Sequence, residues 1–168
     1  MSEAYRVTTL DNLGEYQETI FGHALTAATI GGTIGAIVPG SDTFGVSATW
    51  LSMIIQIANH ADSETDKAII QKFLITVVQG AGSYIIGTKV LQGLMMMTGI
   101  GIVGSAVLNA SLNFLYTARL GIFVAELYDQ PGFTSEHMMS TASSAIEIIF
   151  KVPTVEELRF AFNMTRKQ

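Results

Sequence analysis

The sequence of 168 residues has no cysteine, which excludes disulfide bonds, zinc sites with thiolate ligands and cysteine nucleophiles. Charged side chains make up only 14% of the residues, whereas soluble domains carry about 25%. Basic residues number nine, the net charge is −5, and no basic run extends beyond Arg166 and Lys167. Because nucleic-acid phosphates bind clustered cations, we expect no nucleic-acid partner.

The N-terminal segment lacks the basic start and apolar core of a signal peptide. Acidic residues such as Glu3 and Glu15 interrupt it, so we expect no cleavable signal. A length of 168 residues favours one folding unit with an adequate core. Composition divides the chain into an apolar helical domain, residues 1–130, and a pair of amphipathic C-terminal helices within residues 131–168.

Long uncharged stretches separate the few charged residues, and the mean hydropathy is +0.41. The four longest stretches, residues 19–41, 43–61, 73–88 and 90–118, have 23, 19, 16 and 29 residues. A helix needs about 20 apolar residues to cross a bilayer. By this measure two stretches are long enough, one is borderline and one is short.

The apolar residues recur at three- and four-residue steps, and no useful length of sequence alternates with period two, which predicts helices without strands. We predict an all-α bundle of five to six helices, with four central apolar Gly/Ala-rich helices and an amphipathic C-terminal pair. Thr154 and Glu157 fit a capping box at the start of the last helix. The predicted ranges are 11–38, 43–61, 65–90, 92–128 with a break near Thr98-Gly99, 135–150 and 154–165.

Rows of small or polar residues run along the first and fourth predicted helices at four-residue steps. The two rows are Ala27, Gly31 and Gly35, and Gly101, Ser105, Asn109 and Asn113. Small residues on one face allow two helix backbones to approach closely, as in the GxxxG contact. Unpaired amides are costly in apolar surroundings, so we expect Asn109 and Asn113 to bond across helices or face water. We interpret the rows as helix-packing contacts of a homo-oligomer.

The second and third predicted helices carry polar stripes opposite their apolar faces, and the stripe of the second helix is uncharged. The residues of these stripes are Thr49, Ser52, Gln56 and Asn59 in the second helix, and Lys72, Thr76, Gln79 and Ser83 in the third. Two interpretations are open. The stripes either line a wet interior or a subunit contact, or they are the solvent faces of a soluble bundle.

A search for catalytic motifs finds one partial match. Gly99, Gly101 and Gly104 have the G-x-G-x-x-G spacing of dinucleotide-binding loops, and Glu126 lies near the distance of the ribose-binding acid. That motif needs a second parallel strand, but Pro131 and a helical pattern follow instead. We therefore interpret the glycines as a bend or a close helix contact.

The three histidines, His23, His60 and His137, have no spacing that would place two of them on one helix face. His60 with Asp62 could bind a cation, but a histidine near a helix C-terminus is also favoured by the helix dipole. We therefore expect no metal site, no cofactor and no enzymatic activity.

Several segments together resemble a known helical family. They are Gly32 to Asp42 with its Pro39-Gly40-Ser41-Asp42 turn, the positions Trp50, Met53, Ile57 and His60, the Gly99 to Gly104 stretch, and Ala110 to Gly121. Over residues 24–128 the sequence resembles the domain of unknown function 697 family, which often follows Era-like GTPase domains and also occurs alone. The resemblance implies an all-helical, often membrane-associated module without established catalytic residues. These 168 residues contain no GTPase domain, so a nucleotide-coupled role would need a partner.

Two classes of function fit these features. In the first, the protein is a non-catalytic, membrane-associated helical subunit that self-associates through the small-residue rows and acts as a scaffold, anchor or pore. In the second, it is a soluble adaptor or oligomerisation module whose apolar surface is covered by a GTPase or another protein partner.

The distribution of cations gives an expected location. Four of the nine basic residues, Lys151, Arg159, Arg166 and Lys167, follow the last predicted apolar helix, which ends at residue 128. Cytoplasmic segments next to a membrane carry an excess of lysine and arginine. We therefore expect a protein of the bacterial inner membrane, or one attached to its cytoplasmic side, with both termini in the cytoplasm.

Overall fold

A computed structural model describes residues 16–34, 43–82 and 88–167. Within these ranges it contains seven α-helices and one 3-10 helix and no strand, so the all-α prediction is confirmed. The helices are α1 (Tyr16–Ile34), α2 (Thr43–His60), α3 (Lys67–Ala81), α4 (Thr88–Met97), α5 (Ser105–Tyr128), the 3-10 helix (Ser135–Thr141), α6 (Ala142–Phe150) and α7 (Val155–Thr165).

The prediction of five to six helices is too low, because two predicted helices are each interrupted. The range 65–90 contains the end of α3, which is capped by Gly82, and the start of α4. The predicted break near Thr98 is confirmed as the connector between α4 and α5. Gly99 and Gly101 in this connector have φ angles of 81° and 89°, a left-handed conformation that glycine adopts without steric cost.

Helix α5 is the centre of the bundle and is buried along most of its length, in contact with α1, α2, α6 and α7. A Cβ atom at Gly121 would lie 2.8 Å from Ile20 Cγ1 of α1 and 3.1 Å from Met53 Sδ of α2, so three helices approach closely there. Trp50 Nε1 of α2 donates a buried hydrogen bond of 2.7 Å to Thr117 Oγ1.

The helices around α5 have defined directions. Helix α1 is antiparallel to it, because the Tyr16 hydroxyl donates to Asp129 Oδ1 at the C-terminal end of α5, whereas Gly31 lies near its N-terminal end. Helix α7 runs from the middle of α5 toward the N-terminal end. Its Phe160 ring lies 6.1 Å from that of Phe114, measured between centroids.

The connectors at the C-terminal end of α5 are fixed by side-chain hydrogen bonds. Asp66 caps α3 by accepting from the amides of Ala68 and Ile69 at 2.8 and 3.2 Å. The Asp66 amide donates to Ser135 Oγ at 3.1 Å, which joins the α2–α3 connector to the 3-10 helix. Side-chain caps of this kind satisfy amides that a helix start leaves unpaired.

Candidate functional site

The small-residue rows meet inside the chain, where α1 crosses the first half of α5. Asn109 Nδ2 donates a buried hydrogen bond of 2.6 Å to the carbonyl oxygen of Gly31, so the expectation that this amide bonds across helices is confirmed. Asn113 Nδ2 donates to the Asn109 carbonyl at 3.0 Å. A Cβ atom at Gly31 would overlap the Asn113 amide, with Cγ 2.8 Å away. The absence of a side chain at Gly31 is therefore required by this packing.

The other candidate residues of the rows have different surroundings. Ala27 is buried on α1, Ser105 is the exposed first residue of α5, and Gly101 lies in the α4–α5 connector. Among the described residues, no atom lies within 4 Å of a Cβ built at Gly101. Gly35 lies outside the described residues. The structure therefore brings together three of the seven candidates, Gly31, Asn109 and Asn113, and it does so within one chain.

A buried ion pair, which the sequence analysis missed, ties α5 to α7. Arg119 Nη2 and Nε donate to Glu157 Oε2 and Oε1 at 2.8 and 3.2 Å, and the two side chains are 4% and 5% exposed. Arg119 Nη1 also donates to the carbonyl oxygens of Ile149 and Lys151 at 3.0 and 2.6 Å. The guanidinium thereby links α5 with the end of α6 and the start of α7.

The carboxylate of this pair also belongs to the predicted capping box, which the structure confirms. Glu157 Oε2 accepts from the Thr154 amide at 2.8 Å, and Thr154 Oγ1 accepts from the Glu157 amide at 3.2 Å. The signal for the pair was visible in the sequence, since Arg119 is the first charge after 29 uncharged residues. With its partners inside the bundle, the pair is inaccessible to a substrate and holds helices together.

Two tyrosines of α5 have perturbed acidity. Burial raises the pKa of Tyr116, and the nearby positive charge of Arg119 partly offsets this increase. Burial likewise raises the pKa of Tyr128, whose hydroxyl has no hydrogen-bond partner among the described residues. Both phenols therefore stay protonated at neutral pH and are poor bases.

The exposed apolar side chains concentrate in one short stretch of sequence. Among the described residues, eight large hydrophobic side chains are exposed, and five of them belong to residues 90–107. We call these five the α4 surface: Val90, Met96, Met97, Ile102 and Val107. The most exposed are Met97 at 69% and Ile102 at 79%. The remaining three, Ile75, Met139 and Val152, lie on other segments.

Helix α4 is apolar on both its inner and its outer side. Leu91 and Met95 are buried against the bundle, whereas Val90 and Met97, which are seven residues apart, face outward. The side chain of Gln92 is hydrogen-bonded to the α4–α5 connector, because its Nε2 donates to the Val103 carbonyl oxygen at 2.7 Å. Apart from Thr88, Lys89 and Gln92, the helix is therefore apolar on its outer side as well. This pattern is closer to that of helices in a protein interior or a lipid environment than to that of an ordinary surface helix.

The glycine and histidine motifs form no catalytic arrangement in the described ranges. Residues 99–104 connect two helices, and the fold has no strand there that a dinucleotide loop could follow. His137 takes part in a capping box with Thr134, and the ring of His60 packs edge-on against that of Tyr16. Across 16–34, 43–82 and 88–167, no group of three or more His, Asp or Glu side chains could hold a metal ion.

One helix of the described residues, α5, is long and apolar enough to cross a bilayer. Within the bundle, 78% of its apolar window is buried. Core helices of soluble proteins pass the same test of length and composition, so this feature is weak evidence of a membrane span.

Comparisons with models of known protein families, with curated proteins and with solved structures gave no match. The resemblance to the domain of unknown function 697 family stays a prediction.

Proposed function

We propose that this chain is a non-catalytic helical subunit that works in contact with a membrane, as an anchor or scaffold, and that associates with copies of itself. The observation that carries the proposal is the α4 surface. Fully removing a large apolar side chain from water contributes about 1.5–3 kcal/mol. Burying the five side chains of this stretch would therefore contribute several kcal/mol of free energy, which a monomer in water does not gain.

Contact from the side of the bilayer fits the dimensions better than a span. Helix α4 has 10 residues, which corresponds to about 15 Å at 1.5 Å per residue. The hydrocarbon core is about 30 Å thick, so α4 is too short to cross it. A short helix of this type is suited to lie at the boundary between headgroups and acyl chains.

Self-association is proposed through surface outside the Gly31 row. Gly31 already packs against Asn113 of the same chain, so a contact between copies through this row would require α1 to separate from α5.

The α2 polar stripe suits a solvent face better than a pore lining. Its Ser52 is exposed, accepts from Gln56 Nε2 and lies 3.3 Å from His23 Nε2.

The direct test is vesicle flotation in the absence of detergent. The wild-type protein should float with neutral phosphatidylcholine vesicles, and replacing both Met97 and Ile102 with Ser should abolish flotation because it removes the two most exposed apolar side chains. The matched control is Ile75→Ser on α3, a residue that is 57% exposed and lies outside the α4 surface. Flotation of the double variant at the wild-type level would refute the assignment of the α4 surface.

A second candidate function is that of a soluble adaptor, and the buried interior of the bundle favours it. The buried Arg119–Glu157 pair and the burial of 78% of the apolar window of α5 support this alternative, because both are also expected in the core of a protein in water. In this alternative a protein partner, for example a GTPase, covers the α4 surface. Sedimentation separates the two functions, since a detergent-free monodisperse species that ignores vesicles would favour the adaptor.

A further inference from the structure

We infer that the α4 surface selects anionic membranes, with Arg159 of α7 holding a lipid phosphate and Arg166 adding a second cation. This inference rests on the proposed membrane function and names the lipid class. The geometry that suggests it is the hydrogen bond of 3.1 Å from Arg159 Nε to the carbonyl oxygen of Thr98. Thr98 directly follows Met97, so the cation lies at the border of the α4 surface.

The guanidinium of Arg159 can serve the connector and a phosphate at the same time. Arginine carries five N–H donors in a planar fork, and the bond to Thr98 uses one of them. The residue is exposed on α7. Phosphate groups are bound by such forks through paired hydrogen bonds, while the apolar side chains next to it enter the acyl boundary.

The neighbouring charges on α7 reinforce this site. Arg166 lies seven residues after Arg159 and thus on the same side of the helix, about 10 Å along its axis. Lys167 follows it, and both are exposed. Of the two acids of α7, Glu157 is buried against Arg119, which leaves Glu156 as the exposed carboxylate. Exposed charge on α7 and its C-terminal cap is therefore positive, on a chain with a net charge of −5.

The acidic side chains gather at the other end of the bundle. Seven of the ten acidic residues in the described segments lie in elements near the C-terminal end of α5: Glu18, Asp62, Glu64, Asp66, Glu126, Asp129 and Glu136. None lies within residues 90–118. An anionic surface therefore attracts the end that carries the α4 surface and repels the opposite end, which orients the protein as it approaches.

The test measures binding of the intact chain to two kinds of vesicle by sedimentation. One is phosphatidylcholine alone, and the other contains about one quarter phosphatidylglycerol, enough to give a negative surface potential. The wild type should bind the anionic vesicles more tightly, and added salt should reduce this preference. Each cation near a negatively charged surface contributes about 1 kcal/mol, so Arg159→Gln should weaken anionic binding roughly fivefold. It should weaken binding to neutral vesicles less, because the phosphate of phosphatidylcholine is balanced by the choline cation of the same headgroup.

Two further variants separate charge from folding. Arg166→Gln leaves the bond to Thr98 intact and should also reduce the anionic preference, whereas Arg159→Lys should retain much of it because the charge is kept. Lys67→Gln, at the acidic end of the bundle, is the matched control and should have no effect. Thermal unfolding of each variant verifies that it is folded.

The outcomes distinguish this inference from the function on which it rests. Equal wild-type binding to both vesicles would overturn the lipid selectivity and leave the membrane function standing. If the folded wild type binds neither kind of vesicle, the membrane function itself is overturned. Dimers that form through the α4 surface and exclude vesicles would overturn both.

Discussion

The two ends of α5 differ in how they meet their surroundings. At the C-terminal end, Tyr16 donates to Asp129, and Asp66 caps α3 while its own amide bonds to Ser135. At the N-terminal end, Gly104 occupies the N-cap position without a side-chain hydrogen bond, and the exposed Ile102 and Val107 lie on either side of it in the sequence. One end is completed by polar groups suited to water. The other end carries the exposed apolar side chains of the α4 surface.

The largest expected effect is at Arg119, which holds the middle of α5 between these two ends. Arg119→Met should lower the free energy of unfolding by about 3–5 kcal/mol, because it leaves the Glu157 carboxylate buried without its charge partner. Urea unfolding of the variant measures this loss. Pairing it with Glu157→Leu should recover part of the stability, since removing both charges removes the unpaired one. A loss of under about 1 kcal/mol in the single variant would contradict a structural role for the pair.

The sequence predicted the helical class and the capping box of Thr154 well, because periodicity and caps are local signals. It could not predict that Arg119 pairs with Glu157, because the two residues are 38 positions apart in the sequence. The Gly31 row was visible, but its spacing is the same for a contact within the chain and for one between copies. Only the fold shows that Asn109 and Asn113 of the same chain occupy that position.

The boundary between α4 and α5 shows a further limit of the sequence. Within the stretch of 29 uncharged residues the sequence predicted a break near Thr98-Gly99, but not which side of the break would stay exposed. Gly99 and Gly101 take left-handed backbone angles in the connector that follows α4. As a result α5 is buried and α4 keeps an exposed apolar side, although both come from the same uncharged stretch.

A medium effect is expected at Gly31, near the N-terminal end of α5. Gly31→Ala should destabilise the fold by about 1–3 kcal/mol, the usual cost of overpacking, because the new methyl group overlaps the Asn113 amide. Gly22→Ala is the matched control on the exposed side of α1, where no described atom lies within 4 Å of the added carbon. It should stabilise by about 0.5–1 kcal/mol through helix propensity.

Thermal unfolding and mass measurement of Gly31→Ala and Gly22→Ala distinguish packing within one chain from a contact between copies. Destabilised protein of unchanged subunit number would place Gly31 in the packing of one chain. Dispersal of an assembly without loss of stability would instead restore the row as a contact between copies.

The smallest effect is expected at Asp66, at the acidic end. Asp66→Ala should cost about 0.5–2 kcal/mol, because the amides of Ala68 and Ile69 lose their acceptor. Asp66→Asn should retain most of the stability, since asparagine caps about as well as aspartate. Chemical unfolding measures both, and vesicle binding should stay at the wild-type level because the residue is far from the α4 surface. If Asp66→Ala instead abolished vesicle binding, the two ends of the bundle would be coupled, and the proposed division between a water-facing end and a membrane-facing end would fail.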